Sequence, residues 1–243
     1  MMLEKRLYAS AIRQIEELVD DIPGWTPIDQ LHTLFTLVMA SSHLKGDILE
    51  VGSWCGRSSV VLALASRLSD NSPVTCIDLF PSRKDWHQNP DGSYSFEVTV
   101  DNKRYAGYQD QTVWQEPFER DIAPLYEKHD SIYDLFMENV TRKGFSNLIH
   151  PIQGTSEKLA DFPEFRCRLA FLDGDHSYEA VLRDIENVER HLVPGGWITF
   201  DDAFTCYEGV DRAIRERIIN SGKYKLCQQM TRKLFVAQLQ QAA

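Results

Sequence analysis

The sequence predicts an α/β protein: a mostly parallel β-sheet covered by helices on both faces. Three observations carry this. Strand-like and helix-like segments alternate along most of the chain. Several of the strand segments hold apolar runs rather than an alternation, such as "LAFL" in "CRLAFLDGD", as strands buried on both faces do. And most connections between them hold a helical segment long enough to cross from one parallel strand to the next.

Residues 3–19 place Leu3, Leu7, Ala11, Ile15, Leu18 and Val19 at helical spacing. "GWTPIDQLHTLFTLVMAS" predicts a second helix, with Thr26 as N-cap, Pro27 in the first turn and Asp29 completing an S/T-x-x-D pattern. From about residue 46 the alternation begins. "DILEVG" is a strand and "GRSSVVLALASRL" a helix; "VTCIDLF" is the second strand. "DSIYDLFMENVTRKG" (helix), "NLIHPIQG" (strand), "CRLAFLDGD" (strand), "SYEAVLRDIENVERHL" (helix), "GGWITFDD" (strand) and "GVDRAIRERIINSG" (helix) follow. "KYKLCQQ" and "TRKLFVAQL" close the chain as strands, too near each other for a parallel crossover and therefore antiparallel. The chain thus divides into an N-terminal helical lid or extension at 1–45 and a main domain at 46–243.

One stretch departs from the pattern. Between Asp78 and Ser131 lie roughly 50 residues where an α/β connection needs a few. The insert, at about 81–130, is too aromatic for a disordered linker, with Trp86, Tyr94, Phe96, Tyr105, Tyr108, Trp114, Phe118 and Tyr126. "SYSFEVTV" alternates as a strand of a small hairpin. The insert reads either as a cap over the site or as a structural or oligomerisation element.

The formal net charge of −10 and the lack of a basic stripe speak against a nucleic-acid partner. Five cysteines without a CxxC pair (Cys55, Cys76, Cys167, Cys206, Cys227) point to free thiols in a reducing compartment. No signal-peptide pattern and no membrane-spanning run is present, so the expected location is the cytoplasm, with no membrane partner. The N-terminal helices are apolar enough for a homo-oligomer interface or for packing on their own domain.

In open parallel sheets ligands bind beyond the carboxyl ends of the strands. The first strand ends "LEVGSWCGRSS", where Gly52 and Gly56 permit a tight turn into a helix N-terminus. The loop is not GxGxxG, so a dinucleotide pyrophosphate is not its ligand. The second strand ends in Asp78, placed to accept hydrogen bonds from a ribose diol. Together they favour an adenosine-containing ligand. Asp173 and Asp175 end one later strand, Asp201 and Asp202 the next. Four carboxylates at one rim repel one another, and a hard divalent cation such as Mg²⁺ relieves the conflict. For Asp175 a helix-capping role is the equal alternative.

The segments "ILEVGSWCGRSSVVLA", "VTCIDLF", "IQGTSEKL" and "LAFLDGDHSYEAVLRDIENVERHLVPGGWITFDD" together resemble the class I S-adenosylmethionine-dependent methyltransferases. More narrowly, they resemble the metal-dependent small-molecule O-methyltransferases of the catechol and macrolide- or aminocoumarin-sugar type. The resemblance implies a Rossmann-like, doubly wound, seven-stranded sheet with an antiparallel last strand. It implies that Glu50, Gly52, Ser53 and Trp54 line the methionine and sulfonium end of S-adenosylmethionine, with Ser58 opening the helix behind. Asp78 would hold the ribose and Ser156 would sit near the adenine. Asp173, also on the cofactor side of the rim, matches a metal ligand together with Asp201 and Asp202. Asp175 and His176 match positions of a catalytic base. The lysine near His176 and the asparagine at Asp202 that catechol enzymes carry are missing, which turns the expected acceptor toward a sugar or another vicinal hydroxyl. A non-catalytic nucleoside-binding module, and a metal-dependent enzyme of another class on the same fold, are the alternatives.

Overall fold

The structure, a computed structural model, describes residues 13–107 and 113–240. Leu3, Leu7 and Ala11 of the first helix, and Tyr108 of the insert, lie outside the described residues. Seven strands form one sheet: β1 (Asp47–Val51), β2 (Val74–Asp78), β6 (Ile149–Gln153), β7 (Cys167–Leu172), β8 (Leu192–Phe200), β9 (Tyr224–Gln229) and β10 (Phe235–Leu239). Their order is β6-β2-β1-β7-β8-β10-β9. All neighbours from β6 to β8 are parallel, whereas β10 is antiparallel to both β8 and β9. The sheet is therefore mostly parallel with one reversed strand, as the sequence predicts.

The side-chain period of two splits each central strand between two cores. Ile48 of β1 and Leu169 and Phe171 of β7 face one cluster, which includes Leu34, Val60 and Phe136. Leu49 and Val51 of β1 and Ala170 and Leu172 of β7 face the other, with Val181, Ile185 and Ile214. The first cluster takes in α1 (residues 13–19), α2 (Ile28–Ser41), α3 (Arg57–Ser69) and α4 (Ile132–Arg142). The second takes in α5 (Tyr178–Glu189) and α6 (Glu208–Ala213), which runs on as a π-helical stretch at Ile214–Ile219. Ile15 and Val19 are fully buried, so the N-terminal helices share the first core.

Local signals explain the helix starts. Ser131 caps α4 through the amide of Asp134, and Ser177 caps α5 through that of Ala180. At α2 the expected cap is displaced by one residue: Pro27, extended at φ −67° and ψ 159°, holds the N-cap position, and Thr26 lies outside the helix. Thr26 is instead buried, its carbonyl accepting from Arg57 Nε at 3.2 Å. Arg57 also donates to the carbonyls of Val19 and Ile22 and so ties the α1–α2 connection to the first turn of α3.

The insert is a small antiparallel sheet of β3 (Trp86–Gln88), β4 (Tyr94–Val100) and β5 (Lys103–Gly107), one strand more than the hairpin expected. It has its own aromatic core: Tyr94 stacks on Phe118 at 3.9 Å, and Trp86 packs on Phe96 and Phe118. Its tip meets the segment after β6, where Tyr105 Oη donates to Glu157 at 3.1 Å and Lys103 and Lys158 pair with Glu157 and Asp101. No described helix is long and apolar enough to cross a membrane. All five cysteines are free.

Candidate active site at the carboxyl rim of the sheet

The parallel ladder sets the rim. Gly52 N donates to Ile77 O, Asp173 N to Val51 O and Asp201 N to Leu172 O, each at 2.8–2.9 Å. The ends of β1, β7 and β8 therefore sit side by side. The approach is close at Gly52, which adopts φ +90°: a Cβ there would lie 1.9 Å from the carbonyl oxygen of Asp173. Gly56, at φ +87°, opens α3 with the Phe136 ring 3.2 Å from where its Cβ would stand. Three non-glycine residues at the strand ends also take positive φ: Trp54 after β1, Phe80 after β2 and Asp202 after β8. Strain of this kind persists where surrounding contacts over-determine the backbone, and it collects at functional sites.

The β1–β2 side is organised by backbone. Asp78 accepts from Trp54 N at 2.9 Å and from Phe80 N at 2.6 Å, which fixes both strained residues. Burial raises its pKa against these amides. Glu50 is fully buried beneath the loop, where the Ser59 hydroxyl and, at 3.3 Å, the Cys76 thiol donate to its Oε2. Ser58, in the first turn of α3, is buried as well. Glu50 Oε1, Ser53 Oγ and Trp54 Nε1 are buried without a hydrogen-bond partner. Unpaired buried polar atoms are costly in a finished fold. Three of them around one glycine turn fit a polar ligand that lies against the loop. Trp25 stands beside Trp54, ring centroids 5.8 Å apart, and is half exposed. Ser156 is turned inward: its hydroxyl donates to Asp184 Oδ1 at 2.6 Å and accepts from Asn187.

The β7–β8 side is organised by side chains. Asp201 Oδ1 accepts from Gln30 Nε2 at 2.8 Å and from Asp202 N at 2.7 Å. Asp201 Oδ2 lies 2.9 Å from Lys233 Nζ, which also reaches Asp202 Oδ1 at 3.3 Å. His176 Nε2 lies 3.3 Å from Asp202 Oδ2, and its ring stacks on Tyr207 at 4.3 Å. Burial, and then the neighbouring Asp201 charge, raise Asp173 well above the usual carboxylate range and raise Asp202 in the same sense. Burial lowers His176 and favours its neutral imidazole. Asp175 accepts from Ser177 N at 2.8 Å and shapes the turn into α5.

Asp173, His176 and Asp202 each offer a ligand atom within 4.8 Å of the others, a donor set that fits a divalent ion. Asp201, expected in that set, bonds Gln30 and Lys233 and also meets Asp173, and His176 joins the grouped donors. Gln30, Lys233, Tyr207 and Trp25 were not foreseen. For Lys233 a signal existed. A reversed last strand beside β8 must start where β8 ends, which puts "TRK" at the acidic rim.

A sheet with this order, one reversed strand and a ligand rim at its carboxyl edge is that of the class I methyltransferases. A family model described as a methyltransferase domain matches residues 49–203, and the chain belongs to this family of S-adenosylmethionine-dependent methyltransferases. Among solved structures the chain is similar to the O-methyltransferase NovP, at 17% identity over 88% of this chain and 81% of that one, TM-score 0.63. It is also similar to an O-methyltransferase from Bacillus cereus in complex with SAH, at 14% identity over 95% and 91%, TM-score 0.56. A third is CalS11, the TDP-rhamnose 3′-O-methyltransferase of calicheamicin biosynthesis, at 14% identity over 95% and 93%, TM-score 0.55. At these identities the likeness is one of fold.

Proposed function

We propose that the chain transfers a methyl group from S-adenosylmethionine to a hydroxyl of a small molecule, a sugar-bearing or other vicinal-oxygen metabolite. The observation that carries this is the adjacency, across one ladder step, of a glycine loop with three unpaired buried polar atoms and an acidic rim carrying His176. When bound, the cofactor supplies an electrophilic methyl on a sulfonium. Ser53 and Trp54 would bind its amino-acid end, with Glu50 beneath them, and Asp78 would accept from its ribose while keeping the loop in shape. In-line displacement depends mostly on alignment, so the rigid loop holds one reactant while the rim orients the other. His176, kept neutral by burial, held by Asp202 at Nε2 and stacked on Tyr207, takes the acceptor's proton at its other ring nitrogen, Nδ1.

A second reading is favoured by the grouping of Asp173, His176 and Asp202. These residues would hold a divalent ion, whose Lewis acidity would lower the acceptor's pKa. The imidazole among the donors moves the choice from Mg²⁺ toward a first-row transition ion.

Titration calorimetry with S-adenosylmethionine tests the cofactor, with Asp78→Ala as the comparison. Micromolar binding that weakens at least about tenfold in the variant supports the assignment; that factor is about 1.4 kcal/mol, one charge-assisted hydrogen bond. Equal binding by both proteins removes Asp78 from the site. Methyl transfer to hydroxylated acceptors, run with and without a chelator, separates the two readings: the base reading keeps its rate and the metal reading loses it.

A further inference from the structure

Clustered carboxylates at the rim call for a metal only if the chain brings no cation of its own. It does. Lys233 stands against Asp201 and Asp202, with only 12% of its side chain exposed. It is not a surface lysine that happens to reach inward. Ala203 N donates to Lys233 O at 2.9 Å, Gln229 Nε2 donates to Ala203 O at 3.1 Å, and Met230 N donates to Leu234 O at 2.8 Å. The β9–β10 turn is thus bonded to the chain just past β8, and the ammonium is delivered by backbone register.

Asp202 is where two demands meet. Its Oδ1 faces Lys233, and its Oδ2 faces His176 within the group suited to a divalent ion. An ion held by Asp173, His176 and Asp202 therefore shares a carboxylate with a fixed ammonium. Two like charges on one carboxylate repel strongly when partly shielded from water.

We propose that Lys233 is the resident cation of this rim, and that it sets the affinity for a divalent ion by competing with it for Asp202. The inference deepens the second reading of the site and rests on it. Asp201, held by Gln30, the Asp202 amide and Lys233, serves as the anchor that keeps the lysine in place rather than as a metal ligand.

The test is binding of Mn²⁺ alone, followed by loss of the free-ion paramagnetic resonance signal, with no cofactor or acceptor present. Wild type, Lys233→Met, Lys233→Gln and Lys233→Arg are compared. Removing the charge is expected to tighten Mn²⁺ binding at least about tenfold in both Met and Gln variants. The Arg variant, which keeps the charge, should stay within about twofold of wild type. Circular dichroism confirms folding, and the Gln variant, which retains a hydrogen-bond donor, carries the test should Met prove unstable. Neutral variants that bind Mn²⁺ no better than wild type, or a rim that takes up Mn²⁺ in none of the four, would overturn the proposal. Cofactor calorimetry is read separately, so a failure of the methyltransferase reading cannot be mistaken for a failure of this one.

Discussion

The two halves of the rim are held together by different kinds of bond. On the β1–β2 side, Asp78 grips two backbone amides, that of Phe80 just past it and that of Trp54 at the end of the neighbouring strand, and the glycine turn is shaped by close backbone approach. On the β7–β8 side, Asp201 and Asp202 are held by Gln30 from an N-terminal helix and Lys233 from the last hairpin, side chains far away in sequence. Backbone bonds of the first kind leave few ways to rearrange. Side-chain bonds of the second kind break and re-form singly. A methyltransferase needs that division if one reactant is common to the whole class and the other is particular to each enzyme.

The sharpest way to break the comparison is Gly52→Ala. A methyl placed 1.9 Å from the Asp173 carbonyl, at φ +90°, must push β1 and β7 apart. A loss of about 4 kcal/mol or more, or failure to fold, is expected in urea unfolding. A variant of near wild-type stability would mean that the loop is far more pliable than its contacts indicate.

Next comes His176→Ala. As the base, its removal should lower kcat for methyl transfer by roughly 10²–10⁴-fold with cofactor affinity retained. Because burial lowers the imidazole's pKa, the wild-type rate should hold through neutral pH and fall only below the ordinary histidine range. Loss of cofactor binding in the variant would merge the two halves that the comparison separates.

A smaller effect is expected under the loop that carries Ser156. Burial pushes the Asp184 carboxyl up to about 6, against the Ser156 hydroxyl bonded to it. Between its unfolded and folded pKa values the folded state holds more protons than the unfolded one. Stability therefore rises as pH falls from about 6 toward 4, and above 6 the buried charge is a burden. Asp184→Asn keeps an acceptor for Ser156 and should stabilise the protein by about 2 kcal/mol at pH 8, with the gain fading toward pH 4. Thermal unfolding across that range decides it; a destabilised variant at pH 8 would show the charge to be compensated in place.

The smallest effect belongs to the insert. Tyr105→Phe removes one bond between its tip and Glu157 and should cost about 1 kcal/mol or less. Faster amide exchange in β5 with an unchanged β1–β2 rim would show that the clasp acts locally. Slowed exchange there would contradict it.

Much of this architecture was legible beforehand. The largely apolar runs of β1 and β7 mark strands buried on both faces, because this signal depends on neighbours within a few residues, whereas the cap of α5 weighed for Asp175 falls to Ser177. The Thr26 cap failed for a local reason too, since an extended proline can itself be the boundary residue. The glycine loop, Asp78 and the acids after β7 and β8 were placed at the rim by position alone, because every parallel strand ends on the same edge.

What the sequence could not decide was which charges meet. Glu50 reads as a strand residue, and only the assembled sheet turns it toward Ser59 and Cys76. That Asp201 faces Lys233 is set only when sheet order brings β10 beside β8. The period of hydrophobic residues fixes elements, and elements fix which edge binds. The pairing of side chains across that edge depends on strand order and register, and only the assembled fold sets those.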